Sequence, residues 1–300
     1  MGHPNPLISV ILPAYNCAQF LPQAIDSILS QTLSDFELLI VYDESRDATL
    51  ELIRQYVTAD QRVKLILGKK ERLVGALNLG ISVAQGEYIA RMDADDISEP
   101  ERFARQVSYM QSHHLDLCGC DMVMINEIGR PLEAVVMPST PELITITLAC
   151  TVPFAHGSVM MHKAFLDQHQ LRYQSGSAAE DYDFWCNAYH LGGRFGNVSQ
   201  FLFKYRHLAN SLSKVHAKVV GKNTSALRRS FVRQNCAAVQ KAITHLLDHQ
   251  SNLSMRESVF LVLAAYLLSL QTKSGLAFRV MKQSSVKANV IAIAKVLSGF

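Results

Sequence analysis

An alternation of short apolar runs and helical patterns through the first third of the chain constrains its fold more than any other feature. Residues 7–12 (Leu7-Ile8-Ser9-Val10-Ile11-Leu12) form a β-prone apolar run stopped by Pro13. Between Phe20 and Gln31, the residues Leu21, Ile25, Ile28 and Leu29 fall at helical spacing. A second apolar run, 36–41, ends in the polar cluster Asp43-Glu44-Ser45-Arg46-Asp47, and Leu50, Ile53 and Val57 then share a helix face. Val63 to Leu67 reads as a third strand. Residues 73–84 read as a helix with Leu73, Leu77 and Ile81 in register and Gly86 as its C-terminal cap. A fourth strand, 88–92, runs into Asp93-Ala94-Asp95-Asp96. Strands and helices alternating at this interval make βαβ units, hence an α/β fold with a mostly parallel central sheet.

Such sheets bind ligands beyond the carboxyl ends of their strands. Polar clusters follow the first, second and fourth strands: Tyr15-Asn16, Asp43-Glu44-Ser45 and Asp93-Ala94-Asp95-Asp96. Topology therefore predicts that all three meet at one sheet edge. Carboxylates two apart on a turn, as in Asp93-Ala94-Asp95, suit Mg²⁺ or Mn²⁺, which takes one or two protein carboxylates and completes its shell with diphosphate oxygens and water. A calcium EF-hand loop starting at Asp93 would need Gly sixth and Glu twelfth, where Ser98 and Ala104 stand. A solvated acidic turn is the plain alternative for an isolated D-x-D. A second acidic cluster, Glu180-Asp181-Tyr182-Asp183, precedes Phe184-Trp185, which holds the chain's one Trp. Its carboxylates fit a helix N-terminal cap or a general base beside an acceptor hydroxyl.

Further along, a helix follows Pro100, strands are expected near 116–125 and 158–162, a helix spans 181–191, and the chain beyond Lys214 reads as helical throughout. That last region carries 13 Lys and Arg against two acids, Asp248 and Glu257, whereas residues 1–213 hold 16 basic and 24 acidic residues. The asymmetry points to an anionic partner for the C-terminal region. The six cysteines (17, 118, 120, 150, 186 and 236) contain no C-x-x-C pair, which fits reduced thiols better than a disulfide framework or a zinc site. No charged-then-apolar leader opens the sequence. Its longest apolar stretch, 259–270, is shorter than the roughly 20 residues a spanning helix needs.

Taken together and in order, these stretches resemble glycosyltransferase family 2, inverting enzymes with the GT-A fold. The resemblance covers about residues 7–213. It is carried by Ser9-Val10-Ile11-Leu12-Pro13-Ala14-Tyr15-Asn16, residues 27–32, Leu39-Ile40-Val41-Tyr42-Asp43-Glu44-Ser45, Ala76-Leu77-Asn78, residues 86–96 and Ala179-Glu180-Asp181-Tyr182-Asp183-Phe184-Trp185. Lys204-Tyr205-Arg206 and Ala209-Asn210 look most like bacterial lipooligosaccharide and O-antigen transferases, among them β-1,3-N-acetylglucosaminyltransferases. The resemblance implies a GT-A domain over 1–213 with a basic helical region over 214–300. It also implies a UDP-sugar donor, bound by Pro13, Ala14, Tyr15, Asn16, Asp43, Asp93 and Ala94 with Arg72 or Lys69 on the nucleotide. Asp95 would ligate Mn²⁺ or Mg²⁺. Asp181 would be the general base, with Glu180 nearby, and Trp185 and His156 would face the acceptor, a glycan or lipid-linked glycan. Two positions depart from the family pattern: Glu44 stands where Gly is usual, and Leu208 where His often follows the Tyr-Arg pair.

Other readings compete. A processive synthase would add Gln-x-x-Arg-Trp and membrane spans. A nucleotidyltransferase would carry a Gly-rich loop near the N-terminus. A nucleic-acid binder could use the basic tail, which shows no aromatic-basic module. The expectation is single-sugar transfer by a cytoplasmic protein, peripheral to the inner face of the cytoplasmic membrane through its basic helices and binding no nucleic acid.

Overall fold

A computed structural model describes residues 5–176, 179–208, 217–249, 253–272 and 275–297. The expected boundary between 213 and 214, and the Ala209-Asn210 pair, lie outside these residues. By their internal contacts the residues form two units interleaved along the chain: Met1–Met137, Phe154–Ser175 and Gly193–Ser211 in the first, and Pro138–Pro153, Gly176–Gly192 and Leu212–Phe300 in the second.

The first unit is built on a nine-stranded mixed sheet. Its strands are β1 (Ile8–Ala14), β2 (Phe36–Tyr42), β3 (Val63–Leu67), β4 (Tyr88–Arg91), β5 (Ile97–Ser98), β6 (Leu117–Ile125), β7 (Pro131–Val135), β8 (Met160–His162) and β9 (Phe195–Arg206). They lie in the order β3-β2-β1-β4-β8-β6-β9-β5, with β7 paired to β6. The β3-β2-β1-β4 part is wholly parallel. β8 runs antiparallel to both β4 and β6, and β6 and β9 are again parallel. β1 and β2 are apolar on both faces and buried throughout most of their length, as a sheet covered by helices on both sides requires.

Helices α1 (Leu21–Leu29), α2 (Thr49–Ala59), α3 (Arg72–Val83) and α4 (Arg102–His113) complete the βαβ units. α1 carries Pro22 in its first turn and buries Leu21, Ala24, Ile25 and Ile28, the periodic face read from sequence. Gly80 lets α3 approach β1: a Cβ there would come within 2.5 Å of Ile11 Cγ2. The C-cap of α3 is Ala84 in an extended conformation, so Gly86 does not cap the helix as expected from sequence. Gly86 is instead a close-approach residue. A Cβ on it would lie 2.5 Å from the Ser9 nitrogen, and its N–H donates to Ser9 Oγ (2.8 Å). The same hydroxyl donates to the buried Glu37 carboxylate (2.6 Å), which also takes Lys64 Nζ (2.7 Å). These bonds hold the Glu37 carboxyl below its usual range although burial opposes them.

The second unit is helical: α5 (Pro141–Leu148), α7 (Glu180–His190), α8 (Ala217–Gln234), α9 (Cys236–His249), α10 (Met255–Thr272), α11 (Leu276–Gln283) and α12 (Val286–Leu297); α6 (Lys163–Gln168) belongs to the first unit. α10 buries Val259, Leu261, Val262, Leu263, Ala264, Ala265 and Leu268. No described helix is long and apolar enough to cross a membrane.

Candidate active site

β1 lies between β2 and β4, parallel to both, with Ala14 opposite Tyr42 and Ile11 opposite Arg91. The Tyr15-Asn16, Asp43-Ser45 and Asp93-Asp96 clusters therefore leave the sheet at the same edge, as topology predicts.

The first two clusters are laced together. Asn16 sits in the left-handed region (φ 47°), where its short polar side chain is tolerated. Its N–H donates to Ser45 Oγ (3.0 Å), and its Oδ1 accepts the N–H of Arg46 (2.8 Å). Ala18 N–H donates to Asp47 Oδ2 and Cys17 N–H to Thr49 Oγ1, both at 3.0 Å. Pro13 is partly buried and Ala14 buried, whereas Tyr15 projects its ring at 61% exposure. An aromatic ring held at the rim of a fixed loop is suited to stack on a planar base.

Asp43 is gripped from the β3–α3 loop: its Oδ1 accepts the Lys70 N–H (2.9 Å), and a Cβ on Gly68 would fall 2.9 Å from that oxygen. Glu44, the residue in place of the usual Gly, forms an exposed ion pair with Lys70 Nζ. The same loop holds Lys70 and Arg72 at positive φ (60° and 58°), an uncommon backbone state for such side chains. Lys69 and Arg72 are both exposed.

The acidic loop after β4 is more buried. Asp93 pairs with the guanidinium of Arg91, which is itself 2% exposed in side chain. Asp95 is partly buried, Ala94 and Asp96 are buried, and Asp96 Oδ1 accepts the Arg206 N–H (2.7 Å). Burial, followed by the charge of Asp93, raises the Asp95 carboxyl to about 6; the same causes and Asp95 itself raise Asp96 well above the usual range. Burial and these three carboxylates push Tyr205 up to about 12. Asp96 Oδ2 is buried with no hydrogen-bond partner. Three carboxyls on one short loop, two of them raised by burial and by their neighbours' charge, are a setting that a divalent metal suits. Asp93 and Asp95 fit Mn²⁺ or Mg²⁺ shared with a diphosphate. Among the described residues no three His, Cys, Asp or Glu side chains form a closed metal cage.

Two arginines that lie within the quoted motifs, Arg206 and Arg91, were given no role from sequence. Arg206 donates through Nε to the Asp95 carbonyl (2.7 Å), through one terminal nitrogen to the Asn126 and Glu127 carbonyls (3.1 and 2.8 Å), and through the other to Gln23 Oε1 (2.5 Å). Its guanidinium also covers the Phe20 ring at 4.6 Å. The available signal was an Arg closing a strand otherwise rich in aromatics. Arg91 gave a similar signal as the one charge in an apolar strand. His156, expected near the acceptor, lies partly buried with Nε2 2.9 Å from Tyr173 Oη; burial and then Arg91 hold it well below the usual 6.5. Tyr173 is tied in turn to Asn78 by two backbone–amide bonds of 2.9 Å.

Glu180 and Asp181 open α7 in the second unit, with Asp183 also in its first turn. Asp181 Oδ1 accepts the Tyr182 N–H (2.7 Å), so it does engage the free amides of the helix start. Trp185 departs from expectation. It is fully buried (0% exposed), edge-on to Phe184. The face carrying Tyr182, Trp185 and Cys186 is core, so the indole offers no platform to a sugar in this structure.

Comparison with known proteins bears on family and fold. The profile described as "Glycosyl transferase family 2" matches residues 9–169. The chain is 36% identical over 216 residues to the putative glycosyltransferase EpsE of Bacillus subtilis, covering 70% of this chain and 76% of that one. It is 33% identical over 203 residues to the O-antigen biosynthesis glycosyltransferase WbnJ of Escherichia coli, covering 67% and 79%. Among solved structures, Staphylococcus aureus TarS 1-349 in complex with UDP superposes with a TM-score of 0.59 at 16% identity, covering 98% of this chain and 92% of that one; the chain spans 53% of the longer TarS structure. The Pyrobaculum calidifontis mannosyltransferase PcManGT, solved with GDP-Man and Mn²⁺, gives 0.58 at 16% identity, covering 98% and 87%. Fold and site define a nucleotide-sugar-dependent transferase with an α/β GT-A-like core followed by C-terminal helices. The chain belongs to glycosyltransferase family 2.

Proposed function

We propose that this protein transfers a hexose or N-acetylhexosamine from a UDP-sugar, with inversion, to a hydroxyl of a surface-glycan acceptor such as a lipooligosaccharide, O-antigen or capsule precursor. The observation that carries this reading is the meeting, at one sheet edge, of an exposed Tyr15, the clasped Asp43 loop and the acidic Asp93–Asp96 loop. The TarS structures with UDP and UDP-GlcNAc and the O-antigen name of WbnJ support the donor and acceptor class.

Tyr15, Pro13, Ala14 and Asn16 hold the base and ribose, Asp43 faces the uracil, and Asp93 and Ala94 border the ribose and diphosphate, with Arg72 or Lys69 on the nucleotide. Asp95 would hold Mn²⁺ or Mg²⁺, and such a cation would supply positive charge against that left on a departing diphosphate. Asp181, with Glu180 beside it, takes the proton of the attacking hydroxyl, and in-line attack by that oxygen inverts the anomeric carbon. The catalytic part is assigned to residues 1–213, and the basic region, 214–300, to the inner face of the cytoplasmic membrane.

The test is a panel of UDP-, GDP- and TDP-sugars with Mn²⁺, followed by nucleoside diphosphate release. One UDP-sugar should be hydrolysed slowly, and Asp95→Ala should abolish the release. Asp181→Asn should keep donor binding and lose transfer to acceptor by at least about a hundredfold. Selective use of a GDP-sugar would instead favour a donor like the GDP-Man bound by the mannosyltransferase PcManGT. Release of pyrophosphate would mark a nucleotidyltransferase.

A further inference from the structure

The end of α10 and the length of α11 expose large apolar side chains in a stretch of sequence rich in Lys and Arg. Phe278 is 75% exposed, Leu270 61%, Tyr266 37% and Met281 36%. Tyr266 and Leu270 are four apart on α10, hence on one face; Phe278 and Met281 are three apart on α11. The helices meet where Ala277 N–H donates to Ser269 Oγ (3.3 Å), which sets Leu270 and Phe278 next to that junction. The inward face of α11 is supplied by Leu276 and Val280, both buried, so the outward apolar residues are surplus to its own packing. From residue 258 to 300 there is no Asp or Glu and there are five Lys or Arg. Arg279, Lys282 and Lys287 are exposed, and Arg279 lies 3.9 Å from Asp248.

We infer that this surface, centred on Phe278 and Leu270, inserts into the headgroup boundary of an anionic lipid bilayer while the surrounding Lys and Arg meet lipid phosphates. The charge pattern chooses the occupant. A second copy of the chain would bring two stretches with Lys and Arg but no Asp or Glu face to face, which like-charge repulsion disfavours. A nucleic acid would leave Leu270 and Met281 in water. An interface of apolar rings beneath a belt of cations fits a membrane surface carrying negative headgroups. The proposal gives the assigned membrane contact a definite set of residues and does not depend on which sugar is moved.

Co-sedimentation of the full chain with vesicles tests it. Vesicles of phosphatidylglycerol and phosphatidylethanolamine should bind the protein, and phosphatidylcholine vesicles should bind it far less. Phe278→Ser with Leu270→Ser should weaken binding about tenfold or more, as should Lys282→Glu with Lys287→Glu. Added salt should erode the wild-type binding but not restore the apolar variant. All four positions are exposed, so thermal unfolding should be unchanged. Donor hydrolysis without vesicles should also be unchanged, which separates this inference from the proposed reaction. Equal binding by wild type and both variants, or no preference for anionic vesicles, would overturn the inference. So would a dimer in the ultracentrifuge that the Phe278→Ser, Leu270→Ser pair dissolves.

Discussion

Arg206 joins separate stretches of the first unit through one planar group: α1 by Gln23, the acidic loop by the Asp95 carbonyl, and the turn after β6 by the Asn126 and Glu127 carbonyls. Arg206→Ala would leave those carbonyls and Gln23 Oε1 without their donor, while the backbone N–H that reaches Asp96 would remain. We expect a loss of about 2–4 kcal/mol in urea unfolding, with Arg206→Lys recovering only part because an ammonium cannot reproduce the fork; a loss under about 0.5 kcal/mol would contradict the assignment. His156 sets a pH signature. Burial and Arg91 keep it neutral when folded, well below the 6.5 of the free side chain. Its contribution is therefore complete above about 6.5 and is lost as pH falls, because the unfolded chain then takes up a proton the folded one refuses. The raised carboxyls of Asp95 and Asp96 act in the opposite sense, so the comparison must be between wild type and His156→Gln. The wild type should lose stability relative to the variant below about pH 6.5, by up to about 1 kcal/mol per pH unit. Parallel stability profiles would show that His156 titrates normally.

At the scale of elements, Gly86 illustrates a role that a one-dimensional pattern cannot display. A Gly two residues past a helical run looks like a cap, but the constraint comes from β1, whose backbone passes where a side chain would go. Gly86→Ala should cost about 2–3 kcal/mol, because the Ser9 and Ile8 backbone atoms it meets cannot swing aside. A thermal midpoint within a degree of wild type would contradict this. The strands and helices up to residue 92 were legible because each carried one clear period, buried on the side the sheet demands. α5 was not: Ile144, Thr145, Ile146 and Thr147 are all β-branched, a composition that favours strands over helices. It is a helix because Thr140 caps it, accepting the Leu143 N–H on Oγ1 (3.2 Å), and Pro141 starts it. β9 escaped notice because its twelve residues are interrupted by exposed positions and register shifts.

For the whole molecule, the order of motifs revealed the fold, while the identity of side chains left burial undetermined. Tyr15, Asp43, Asp93 and Asp95 follow strands whose parallel order was readable, so their shared edge was too. Trp185 was legible only as a rare aromatic beside carboxylates, and its burial depends on a packing partner that no local pattern announces. Arg91 and Arg206 were hidden for the same reason, since a charge is placed inside by what surrounds it. The charge asymmetry was countable, yet only the structure showed that Phe278 and Leu270 stand outward among those cations.

The central claim is that Asp95, crowded by Asp93 and Asp96, binds a divalent cation together with a nucleoside diphosphate. Calorimetric titration of UDP into the protein with and without Mn²⁺ tests it most directly. Saturable UDP binding should require the metal and should weaken by at least about tenfold in Asp95→Ala. UDP binding of equal strength without metal and in the variant would contradict the account.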